Sequence, residues 1–153
     1  MSNAVEQALQ TAILREIAAY ELYASTAKRV EPGPSQDMLL DLAAQERGHR
    51  RRLENLLSRG AFARLTDAQE EQVIDLKITD YLVAAPLSPD ASLQDILIVA
   101  GQREGNSHAL YGALAQVAGD EQTRGLFEFL ANEELKHKQL VEKLYDELFY
   151  AEN

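Results

Sequence analysis

Residues 88 positions apart match along two stretches of the chain without a gap: Glu16 with Glu104, Tyr23 with Tyr111, Glu46 with Glu134 and His49 with His137 (104 − 16 and 137 − 49 give the same offset). The same offset pairs Leu9 with Leu97, Ala12 with Ala100, Arg15 with Arg103, Leu22 with Leu110, Ala27 with Ala115, Leu42 with Leu130, Ala43 with Ala131, Glu54 with Glu142 and Leu56 with Leu144. One offset for the whole set implies a duplicated structural unit. Whatever the unit is, it must place its matched acids and histidines equivalently in both copies.

Apolar and small residues recur in alternating steps of four and three, the spacing that lines one face of a helix. Leu9, Ile13, Glu16, Tyr20, Tyr23, Ala27 and Val30 form the first seam, which ends at Glu31-Pro32-Gly33-Pro34. A second helix, with Ser35 as its expected cap, carries Leu39, Leu42, Glu46, His49, Leu53 and Leu56 and stops at Gly60. Ser92 is placed to cap a third, with Leu97, Ala100, Glu104, Ser107, Tyr111, Leu114 and Ala118 on its seam. After the break at Gly119-Asp120 a fourth presents Phe127, Leu130, Glu134, His137, Val141, Leu144 and Leu148 and frays near Tyr150. Short connections make antiparallel hairpins of about 5–60 and 92–150. The segment 61–91, with a short helix capped by Thr66 and a turn at Pro86-Leu87-Ser88-Pro89-Asp90, reads as a crossover between them. The expected fold is therefore all-α: a four-helix bundle of two repeated hairpins, in one domain over 1–153.

Each seam has acids where apolar residues belong. Glu and His three apart share a helix face, so Glu46-Arg47-Gly48-His49 and Glu134-Leu135-Lys136-His137 each aim a carboxylate and an imidazole in one direction. Alone, such a spacing is common on solvated helices. Here Leu42, Leu53, Leu130 and Val141 flank the pairs on the core face, and Glu16 and Glu104 sit at the equivalent level of the other two helices. An uncompensated buried carboxylate costs several kcal/mol or takes up a proton, so four at one level call for cations. By contrast Glu21, Glu128 and Glu133 match Ala109, Leu40 and Gln45 in the repeat and read as surface acids. His108, whose match is Tyr20, reads as a hydrogen-bonded packing residue rather than a ligand.

Composition narrows the chemistry. The 153 residues include no cysteine, which excludes disulfides, thiolate metal sites and cysteine-ligated iron–sulfur or rubredoxin-type centres. A formal charge of −10 argues against a nucleic-acid groove. No apolar run reaches the ~20 residues of a membrane span, and the N-terminus lacks a signal pattern, so a cytoplasmic protein is expected.

Taken together, the segments Glu16–Tyr23, Leu42–His49, Glu104–Tyr111 and Leu130–His137 resemble the rubrerythrin family of ferritin-like proteins, a likeness spanning roughly residues 5 to 150. The resemblance implies a carboxylate-bridged di-iron centre with Glu16, Glu46, His49, Glu104, Glu134 and His137 as ligands, Glu46 and Glu134 bridging, and Tyr23 and Tyr111 donating hydrogen bonds to ligand carboxylates. It implies reduction of hydrogen peroxide or oxygen, and a homodimer. Two departures matter. Rubrerythrins proper carry a cysteine-ligated rubredoxin-like site, so here a separate electron donor is expected. They also carry an extra carboxylate on the third helix, where this chain has Ser107 and His108. The remaining four Glu and two His resemble the bacterioferritin ligand set, although Gly48 stands where that family's haem methionine would fall. The hard oxygen and nitrogen donors suit manganese as well as iron. Two alternatives stay open from sequence: a ferroxidase or iron-handling protein, and a non-enzymatic helical module stapled by its metals.

Overall fold

The computed structural model describes residues 3–59, 67–68, 71–72 and 87–150. Four long helices account for most of them: α1 (Asn3–Ala27), α2 (Pro34–Ser58), α3 (Leu93–Val117) and α4 (Glu121–Phe149). No strand occurs among the described residues.

Local chemistry sets the helix ends. Gly33 precedes α2 with φ +151°, a conformation that side chains disfavour, and Pro34 opens the helix where its missing N–H is no loss. The expected cap, Ser35, thus lies inside the helix, because the Gly-Pro pair already turns the chain. Gln36 reaches back to donate to the Ala27 carbonyl at 2.8 Å, satisfying an acceptor at the end of α1. Ser92 caps α3 as expected, its Oγ accepting from the Asp95 N–H at 3.1 Å. Asp120 caps α4, accepting from the Thr123 N–H at 2.7 Å. The Ala91 N–H donates to the Ser88 carbonyl at 3.0 Å, so the described part of the proline turn is formed. Gly60, Thr66 and most of the expected crossover lie outside the described residues.

α1 packs on α2 and α3 on α4, giving the two hairpins, which then face each other through α1 with α3 and α2 with α4. The facing pairs are antiparallel. Tyr23 meets Glu104 while Tyr111 meets Glu16, and His49 meets Glu134 while His137 meets Glu46, a crossing that parallel helices could not make. Consequently α2 ends beside the end of α3, at the opposite end of the bundle from Leu93. Helices of 25 residues make that separation about 37 Å.

Two apolar layers fill the interior. One gathers Leu9, Leu53, Leu56, Leu110, Leu114, Phe127 and Leu130; the other gathers Ala27, Leu39, Leu42, Leu97, Val141 and Leu144. Each draws on all four helices, and each fully buried Leu or Phe contributes about 1.5–3 kcal/mol. The seams of α2 and α3 are buried throughout. Elsewhere four seam residues depart from expectation: Ile13, Tyr20 and Val30 are only half-buried, with Ala12 fully buried in place of Ile13, and Leu148 is exposed in the last turn of α4. Tyr20 turns outward to carry the Arg47 guanidinium over its ring, 4.5 Å from the centroid. The basic run Arg50-Arg51-Arg52 is exposed, with Arg50 paired to Glu54 at 3.4 Å.

Two glycines test this account in opposite directions. Gly33→Ala should destabilise the protein by about 1–3 kcal/mol, because a Cβ at that φ is strained even though nothing lies within 4 Å. Gly48→Ala, in a helix interior with equal space, should stabilise it by about 0.5–1 kcal/mol. Urea unfolding measures both, and a neutral Gly33→Ala would show that the α2 start does not depend on glycine.

Candidate metal centre

Between the two apolar layers the four helices deliver six polar side chains to one level. Glu16 comes from α1, Glu46 and His49 from α2, Glu104 from α3, and Glu134 and His137 from α4; all are at most 3% exposed. Their donor atoms form two overlapping sets of four, Glu16, Glu46, His49 and Glu134 in one and Glu46, Glu104, Glu134 and His137 in the other, each within 4.8 Å, and a set of three, Glu46, His49 and His137, spans the two. Glu46 and Glu134 belong to both sets of four. The imidazoles stack at 5.5 Å with an interplanar angle of 11°.

Many of these atoms face one another without bonding. Glu16 Oε2, Glu46 Oε1, Glu104 Oε2, Glu134 Oε2 and His137 Nδ1 are buried and lack a hydrogen-bond partner. His137 Nδ1 lies 2.9 Å from Glu46 Oε1, yet the pair lacks hydrogen-bond alignment. Lone pairs that converge on common points rather than on hydrogens are what a cation site requires, and buried polar atoms are seldom left unpaired otherwise. The donor set can therefore hold metal ions.

Outer bonds fix these groups in place. The Tyr23 hydroxyl donates to Glu104 Oε1 at 2.6 Å and the Tyr111 hydroxyl to Glu16 Oε1 at 2.7 Å, each tyrosine serving the glutamate of the other hairpin. Burial, with Glu104 beside Tyr23 and Glu16 beside Tyr111, raises both phenol pKa values well above 10, so each remains a donor. His137 Nε2–H donates to Gln45 Oε1 at 2.8 Å, leaving Nδ1 for the centre. Glu133, expected as a surface acid, lies behind His49 instead: its Oε1 is 3.9 Å from Nε2. Its repeat match to Gln45 was the available signal. Arg15 also went unnoticed in sequence: its guanidinium bridges to α3, donating to Ser107 Oγ at 2.7 Å and to the Arg103 carbonyl at 3.0 Å. His108 lies outside the cluster, its Nδ1 2.7 Å from the Ala131 carbonyl. A cleft of about 290 Å³ between α1 and α3, walled by Leu14, Ala18, Leu22 and Ala100, leads to Glu46, Glu104 and Tyr23.

Without cations the cluster holds protons. Burial, then the charges of Glu16 and Glu104, raise Glu46 to about 7, and burial with the same neighbours raises Glu134 well above the usual range. Burial pulls both histidines down, but Glu16 and Glu46 outweigh it to lift His49 to about 9, and Glu104 and Glu46 lift His137 to about 10. Glu104 moves the other way: burial raises it, but its neighbours Glu134 and His137 and the hydrogen bond from Tyr23 prevail and lower it. A group whose pKa is higher folded than unfolded stabilises the fold below the unfolded value and loses that contribution as pH rises through the folded one. Glu46 thus withdraws stability between about 4.5 and about 7, and the histidines between about 6.5 and about 9 to 10. Glu104 opposes them at lower pH. The melting temperature of metal-free protein should fall as pH rises from about 5 to about 9; a flat or rising profile in chelator-containing buffer would contradict these assignments.

The rubrerythrin family profile matches residues 7–86 and 95–153, which takes in all six core donors and both tyrosines. No curated protein and no solved structure matches the chain significantly. With four helices, the acid and histidine layer at their centre and a profile match over most of its length, the chain belongs to the rubrerythrin family.

Proposed function

We propose that the chain is a non-haem di-iron oxidoreductase that reduces hydrogen peroxide or oxygen with electrons from a separate donor. The observation that carries this reading is the set of buried, unbonded donor atoms arranged in two overlapping groups. Glu46 and Glu134, common to both groups, would bridge; Glu16 with His49 and Glu104 with His137 would complete each end. Iron bound there would supply two electrons together to an O–O bond.

The chain's own residues prepare that reaction. Four carboxylates balance two dications, whereas an unloaded cluster balances itself with protons on both histidines and on two of the acids. Tyr23 and Tyr111 hold Glu104 and Glu16 at one oxygen each, leaving the other oxygen for the metal. The cleft between α1 and α3 gives a small oxidant a route to the layer. Two Fe(II) ions would supply the two electrons that reduce hydrogen peroxide to water, whereas oxygen needs four, so hydrogen peroxide is favoured over oxygen. These 153 residues contain no cysteine to hold a rubredoxin-type iron, so electron supply is assigned to a separate donor.

Metal loading tests the centre first. Metal-free protein titrated anaerobically with Fe(II) should take up two ions per chain and release about three to four protons at neutral pH. Glu46→Ala or Glu134→Ala should lose both ions, because a bridging carboxylate touches each; loss of only one would reject bridging. Stopped-flow mixing then tests the chemistry. The reduced protein should be oxidised faster by peroxide than by an equal concentration of oxygen, and Tyr23→Phe or Tyr111→Phe should slow oxidation about tenfold with metal content intact. Faster oxidation by oxygen, or assembly into an iron-mineralising shell, would favour an iron-handling role instead.

A further inference from the structure

The residue just before each inward glutamate of α2 and α4 reaches behind the histidine of the opposite helix. On α2 this is Gln45, whose Oε1 stands 2.8 Å from His137 Nε2. At the repeat-equivalent place on α4 it is Glu133, whose Oε1 stands 3.9 Å from His49 Nε2. The histidines are otherwise alike: their rings are stacked, and each points Nδ1 at core carboxylates, His49 at Glu134 3.2 Å away and His137 at Glu46 2.9 Å away. Hence the pseudo-two-fold axis relates a neutral amide to a carboxylate. Glu133 is half-buried in this place. Its second oxygen lies 3.6 Å from Lys136 Nζ, and the His49 ring that it faces is fixed edge-on against Phe129.

A partner on the outer nitrogen tunes what the inner nitrogen does. At 3.9 Å Glu133 is beyond hydrogen-bond reach of His49 Nε2 and acts through its charge: a carboxylate beside the ring polarises the N–H toward itself and adds its own attraction for a nearby cation, which the neutral amide of Gln45 does not. We propose that Glu133 and Gln45 are positioning residues that make the two metal positions unequal, the set containing Glu16 and His49 binding its ion more tightly than the set containing Glu104 and His137. The shared ligands Glu46 and Glu134 act on both positions and cannot produce such a difference. This inference rests on the di-metal reading above and concerns affinity, not turnover. Its consequence is an order of filling: the position beside Glu133 is occupied first.

Calorimetric titration of metal-free protein with Mn(II), followed in parallel by electron paramagnetic resonance, separates the steps, since the first ion gives an uncoupled signal and the second couples to it. Native protein should bind in two steps whose constants differ by about 10–100-fold, beyond the statistical factor for equal positions. Glu133→Gln should weaken the first step about tenfold and bring the two together, whereas Gln45→Glu should strengthen the second step and leave the first in place. Both changes are isosteric at partly exposed positions, and opposite movements of separate steps are not what a general loss of packing gives. Two ions bound with equal constants, insensitive to Glu133→Gln, would overturn the inequality while leaving the di-metal centre standing. Fewer than two ions bound by the native chain would overturn both.

Discussion

Removing four glutamates from water at one level of one core is the act around which the bundle is arranged. Each uncompensated buried ion costs several kcal/mol, and four together would exceed the roughly 5–15 kcal/mol by which a domain is usually stable. The layer can exist only with compensating positive charge. In its absence the acids acquire it from protons, which is why Glu46 rises to about 7 and the histidines to about 9 and 10. The apolar layers on either side then have a second effect besides stability. By excluding water they keep the charges strongly coupled, so that a dication is a far better partner here than on a solvated helix.

The duplication supplies the symmetry that such a layer needs. With the hairpins antiparallel to one another, a residue on one copy meets not its own match but the residue seven or three positions away, and the hydrogen bonds run crosswise from Tyr23 to Glu104 and from Tyr111 to Glu16. Each hairpin therefore orients the ligand carboxylate of the other. Neither half is complete alone. The glutamates that belong to both four-residue donor sets, Glu46 and Glu134, sit on α2 and α4, the helices that also carry the two histidines.

Most of the centre was legible before any coordinates. The spacing of Glu46 with His49 and of Glu134 with His137, the common offset and the apolar flanks placed all six donors at one level, because helical periodicity converts sequence distance directly into direction. Helix ends were legible where side-chain chemistry was local, as at Ser92 and Asp120. Ser35 misled because two signals overlapped, and a glycine at positive φ followed by proline turns the chain before a serine cap can. Ile13 and Tyr20 misled because steps of three and of four both fit helical periodicity; the interior takes Ala12, the repeat match of Ala100 on the third seam, and Tyr20 matches His108, which is off that seam.

What the sequence by itself determined is the helical register: which residues share a face, which faces match between the halves, and that buried acids must find cations. Tertiary structure alone decided which donor meets which. No spacing rule within a helix could say that Tyr23 serves Glu104, that Arg15 reaches across to Ser107, or that Glu133 lies behind His49 while Gln45 lies behind His137. Those contacts join residues 81 to 92 positions apart, and they depend on the antiparallel pairing of the hairpins, which periodicity leaves undetermined because an amphipathic face packs equally well in either direction.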